Sequence, residues 1–70
     1  MKTFATRLKE ERVNNNMTQK NMADLLNLSL RAYQGYEAIG KNHREPDQEL
    51  LIKIATVLSV SVDYLLGLEI

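Results

Sequence analysis

The sequence predicts an all-α fold built from five short helices, and three observations carry that reading. Apolar residues recur at helical spacing, most plainly Leu50, Leu51, Ile54, Ala55 and Leu58 at i, i+1, i+4, i+5 and i+8. Side chains able to accept a bond from an orphan amide, Thr18, Ser29, Asp47 and Ser61, stand just before such segments. Helix-breaking residues fill the gaps: Asn14 to Asn16, Asn27, Gly40, Pro46 and Gly67.

The first helix is expected from about Thr3 to Asn14, with Phe4 and Leu8 four apart on its core side and Arg12 one turn further along it. Three consecutive Asn compete with the helical backbone and end it. Thr18 caps a second helix, Gln19 to Leu26, in which Met22, Leu25 and Leu26, with Leu28 beyond them, supply the apolar positions. Ala23 keeps its side chain minimal where the next helix must cross. Asn27 reverses the chain, since Asn enters the left-handed region with little strain. Ser29 caps a third helix. Tyr33, Tyr36 and Glu37 share its packing face, and Leu30, Arg31, Gln34, Gly35 and Ala38 share the opposite one.

The polar connection from Ala38 to Glu45 leaves two conformations open: Ala38 and Ile39 extend the third helix, or the loop bulges. Asp47 then caps a fourth helix to about Leu58, and Ser61 caps a fifth, Val62 to Leu66, with Asp63 favourable to its dipole and Gly67 at its end. The tail Leu68, Glu69 and Ile70 either closes the domain's own core with Leu65 and Leu66 or meets a partner.

Two short helices joined by a tight turn over Thr18 to Glu37 form the layout in which a second helix enters the major groove of DNA while the first lies across the backbone. With its Thr-Gln opening, small Ala23 and S-x-R-x-Y-Q-x-Y-E pattern from Ser29 to Glu37, this stretch resembles the phage repressor and Cro-type (XRE-like) helix-turn-helix family. T-F-A-T-R-L-K-E-E-R before it and P-D-Q-E-L-L-I-K-I-A-T-V-L-S-V-S-V-D-Y-L-L-G after it are also similar, so the resemblance covers nearly the whole chain. It implies a compact five-helix, lambda-repressor-like bundle. It also implies an ion pair joining Arg12 to Glu37, both already placed on packing faces. The segment from Glu37 to Pro46 is longer than the family's usual spacing.

Seventy residues suffice for one small domain, 1–70, with little stability to spare. The absence of Cys excludes disulfides, thiolate metal sites and cysteine nucleophiles. No apolar stretch approaches the ~20 residues that span a bilayer, so a soluble cytoplasmic protein is expected. Nine basic and nine acidic residues cancel, which counts against nucleic-acid affinity, but their distribution is uneven. Residues 1–46 hold eight cations against five carboxylates, whereas in 47–70 Lys53 alone faces Asp47, Glu49, Asp63 and Glu69. Such asymmetry turns one end of the molecule toward an anionic partner.

Catalysis finds no support. His43, Glu45 and Asp47 alternate but lack a fourth convergent ligand, and the single His has no nucleophile to activate. Gly35, Gly40 and Gly67 are too scattered to cradle a phosphate. No cofactor, metal or small-molecule ligand is expected.

The expected function is a sequence-specific DNA-binding transcriptional regulator, a repressor, whose partner is a double-stranded operator and which binds as a homodimer. Base reading is expected from Arg31, which can grip a guanine edge with two hydrogen bonds, from Leu30 against a thymine methyl, and from Gln34. Gly35 is expected to let the helix approach the groove floor. Arg31 is the only long cation on that outward face of the helix. Backbone contacts are expected from Thr18, Gln19, Lys20 and Ser29 at the helix starts, and from Lys41 and Arg44 in the loop. The alternative is a protein-interaction module, an antitoxin-like or antirepressor-like partner using the same fold.

Overall fold

The computed structural model describes residues 2–68 and contains among them five helices and no strand: α1 (Lys2–Asn14), α2 (Gln19–Leu25), α3 (Leu30–Glu37), α4 (Gln48–Leu58) and α5 (Val62–Leu66). Each of the last four begins on a side-chain cap. Ser29 Oγ accepts from the Ala32 amide at 3.1 Å, Asp47 Oδ1 from Leu50 at 2.8 Å and Ser61 Oγ from Tyr64 at 2.9 Å. At Thr18 the arrangement is reciprocal: Thr18 Oγ1 accepts from the Asn21 amide and Asn21 Oδ1 from the Thr18 amide, each at 3.0 Å. That capping box satisfies two orphan donors together.

Four helices also close in one way at their carboxyl ends. Asn16 (φ 57°), Asn27 (φ 58°), Ser59 (φ 58°) and Gly67 (φ 77°) each turn left-handed. The amide just beyond each one then reaches back five residues to a carbonyl, as in Met17 to Arg12 at 3.1 Å and Leu28 to Ala23 at 2.8 Å. Gly67 suits this turn by its φ, and the space beside it is tight. A Cβ there would lie 3.0 Å from Thr3 Cγ2, because the end of α5 rests against the start of α1.

The third helix ends otherwise. Ala38 is extended (φ −72°, ψ 153°), so the helix stops at Glu37 and the following segment bulges as a loop rather than prolonging it. Its late carbonyl is reached from far along the chain: Gly35 O accepts from the Arg44 amide at 2.9 Å as well as from Ala38 at 3.3 Å.

Phe4 and Leu8 of α1, Met22 and Ala23 of α2 with Leu26 just beyond its end, Tyr33 and Tyr36 of α3, Ile54, Ala55 and Leu58 of α4, and Leu65 of α5 form one buried cluster. Leu25 is not part of it, being 54% exposed. At ~100° per residue it sits about 110° from the middle of the arc spanned by Met22, Ala23 and Leu26, outside the buried stripe. At the far end Leu65 is buried, but Leu68 is 64% exposed and does not close the core; Glu69 and Ile70 lie outside the described residues. Arg7 joins α1 to α5, with its guanidinium 4.6 Å from the Tyr64 ring centroid and Nη1 donating to the Tyr64 carbonyl at 2.6 Å.

Candidate nucleic-acid interface

The inner side of α3 is anchored through one carboxylate. Arg12 Nε donates to Glu37 Oε2 at 2.7 Å and Arg12 Nη2 to Glu37 Oε1 at 3.2 Å, a two-pronged contact that ties α1 to α3. Arg12 Nη1 also donates to the Met17 carbonyl at 2.8 Å, so the same guanidinium holds the approach to α2. Gln19 Nε2 donates to Glu37 Oε1 at 3.2 Å, and the Tyr33 hydroxyl donates to Glu37 Oε2.

Burial by itself would raise the Glu37 pKa, but the bonds from Arg12, Tyr33 and Gln19 and the charge of Arg12 outweigh it, leaving Glu37 below the usual carboxylate value. Burial, then the bond to Glu37, pushes the Tyr33 phenol well above its ordinary value. For Arg12, the bond to Glu37 outweighs desolvation and the pKa rises. The pair is charged and nearly dry, with side chains 11% and 3% exposed.

From this centre the network runs to the outer face. Gln19, at the start of α2, accepts at Oε1 from Gln34 Nε2 at 3.2 Å, linking the first turn of one helix to the exposed side of the next. Thr18 and Ser29 use their hydroxyls as caps, and Lys20 lies 3.6 Å from Asp24 on the solvent side of α2. Leu30 and Arg31 are exposed in the first turn of α3, and Arg31 makes no ion pair among the described residues.

Arg31 does not have that face to itself. The loop folds back so that Arg44 lies along α3, and an open cleft of about 480 Å³ is lined by Arg31, Gln34, Gly35, Ala38, Asn42 and Arg44. The stem of Arg44 covers Gly35, and its guanidinium stands 5.5 Å from the Tyr36 ring centroid. Nothing local in the sequence signals this contact. The preceding residue bridges the loop: His43 Nδ1 lies 2.8 Å from the Ala38 carbonyl oxygen and Nε2 lies 2.8 Å from Glu45 Oε1. Lys41 is exposed at the loop tip. Asp47 is occupied as a cap, and no group of three or more metal-ligating side chains gathers among the described residues. Among the described residues no helix is long and apolar enough to cross a membrane.

A capped helix, a left-handed Asn turn and a second capped helix with a polar outer face together make a helix-turn-helix. The chain belongs to the helix-turn-helix family, whose model matches residues 8–65. It is similar to the HTH-type transcriptional regulator YqaE of Bacillus subtilis (strain 168), at 46% identity over 63 residues that cover 90% of this chain and 52% of that protein. The HTH-type transcriptional regulator ImmR of the same organism is 41% identical over 65 residues, 93% of this chain and 49% of its own length. The cryptic phage CTXphi transcriptional repressor RstR of Vibrio cholerae is 41% identical over 61 residues, 87% and 52% respectively. The chain thus spans about half the length of these curated relatives. No solved structure gives a significant match.

Proposed function

We propose that this chain is a sequence-specific DNA-binding transcriptional regulator, a repressor that acts without catalysis by occupying an operator, with residues 1–70 as a single cytoplasmic domain and α3 in the major groove. The observation that carries this reading is the outer face of α3. Arg31, Gln34 and the loop-borne Arg44 face solvent together, and among the described residues neither cation has a carboxylate partner. Such a surface suits phosphates and base edges. The similarity to ImmR, named a transcriptional regulator, and to RstR, named a transcriptional repressor, supports the same reading.

In this reading Arg31 and Leu30, at the amino end of α3, meet base edges, and Gln34 reads while held by Gln19. Thr18, Gln19, Lys20 and Ser29 border one phosphate strand, with Lys41 and Arg44 on the other side. One such domain reads few base pairs, so the bound form is a homodimer on half-sites about one helical turn, ~34 Å, apart.

The deciding experiment selects bound duplexes from a random pool and measures affinity against salt. A recovered two-fold related motif with a steep salt dependence is expected. Recovery of no motif, with a flat salt response, would instead favour a protein partner, and protection of one isolated half-site at saturation would refute the dimer.

A further inference from the structure

Gly35 lies in the interior of α3, where glycine is unfavourable relative to alanine. Its backbone does not require glycine, since the positive-φ glycines are Gly40 and Gly67. What it provides is room. A Cβ built at Gly35 would lie 2.6 Å from Arg44 Cδ and 2.7 Å from Arg44 Cγ, closer than side chains pack. The Arg44 amide is fixed on the same residue by its 2.9 Å bond to Gly35 O, so backbone and stem are held at one point. From there the guanidinium passes near the Tyr36 ring and borders the cleft shared with Arg31 and Gln34.

We infer that Gly35 is a positioning residue, whose missing side chain seats Arg44 against α3 so that the Arg44 guanidinium takes a phosphate at the edge of the groove. The inference rests on the DNA-binding reading above and deepens it. Gly35 is the sixth residue of an eight-residue helix. The amino end of a recognition helix goes deepest into the groove, so a cation seated beyond its first turn faces the flanking sugar-phosphate strand rather than the floor. Gly35 itself then touches no base.

The test is a mutant cycle on a random-sequence duplex, read as affinity and salt slope. Arg44→Ala should bind about threefold to tenfold more weakly and lower the slope by about one, as loss of one phosphate contact does. Gly35→Ala should reproduce both changes although Arg44 is still present, while Arg44→Lys keeps the slope. The Gly35→Ala/Arg44→Ala double variant lacks the atoms a methyl would strike, so it isolates the role of Gly35. It should bind no more weakly than Arg44→Ala alone.

A Gly35→Ala variant with wild-type affinity and slope overturns the inference, as does a double variant whose losses multiply, which would mean that Gly35 meets DNA directly. A changed base preference in Arg44→Ala overturns the phosphate assignment. A wild-type chain that ignores duplex DNA overturns the underlying reading too, whereas one that binds while Gly35→Ala changes nothing removes only this inference.

Discussion

The two faces of α3 divide its eight residues between opposite tasks. Inward, Glu37 accepts from Arg12, Gln19 and Tyr33, and among the described residues no buried side-chain polar atom lacks a partner. Outward, Leu30 is 42% exposed, and Arg31 and Arg44 stand without carboxylates among the described residues. A buried charge must be satisfied by the fold, which fixes the inner residues narrowly. An exposed cation adds little to stability, so the outer residues answer to whatever the face meets.

The comparison is broken most forcefully from within. Glu37→Gln keeps the shape but leaves Arg12 buried without its counter-charge, and should cost about 3–5 kcal/mol. For a domain of this size that lowers the melting temperature by roughly 12–40 °C. An unchanged melting curve would mean that the pair contributes as little as a surface contact.

Arg31→Ala, on the outer face, should leave melting unchanged and cost ~1–3 kcal/mol on the selected site, with much less on random DNA. Equal losses on both would reduce Arg31 to a phosphate contact and leave the reading to Gln34 and Leu30. Lys20→Ala, with only an exposed partner in Asp24, should weaken all duplexes alike and lower the salt slope by ~1.

Acid sharpens the inner half. Because the native Glu37 pKa is lowered, its contribution is complete above the ordinary value of 4.5 and is lost as pH falls from there through the native pKa. Tyr33 works at the other limit: its raised pKa gives a contribution present below pH 10.0 and lost as pH rises beyond. Urea midpoints measured against pH should show the acid loss in wild type and little of it in Glu37→Gln. The smallest change is remote from both faces. Ser59→Gly relieves a left-handed non-glycine residue and should add roughly 0.5–1 kcal/mol in thermal melts without altering DNA affinity.

Features decided within a few residues were legible in the sequence. Caps at Thr18, Ser29, Asp47 and Ser61, the helix stop at Asn14 to Asn16, and the turns at Asn27 and Gly67 depend on a side chain and its immediate neighbours. The left-handed Ser59 carried no such mark, since serine has no special preference there. Leu25 looked like core because it is apolar and adjacent to Leu26, but a helix of seven residues buries only a narrow arc. Contacts between distant segments left no local trace: Arg7 on Tyr64 spans 57 positions, and the seat of Arg44 on Gly35 depends on how an unusually long loop folds.

The shared carboxylate of Glu37 has a consequence for timing. Its donors come from α1, from the start of α2 and from α3 itself, so α3 cannot roll about its axis without breaking bonds on several sides at once. On the proposed reading, the helix therefore meets DNA already aimed. Little ordering entropy remains to be lost at the moment of contact, and association is governed by electrostatically steered diffusion and the orientation of two rigid bodies rather than by a refolding step.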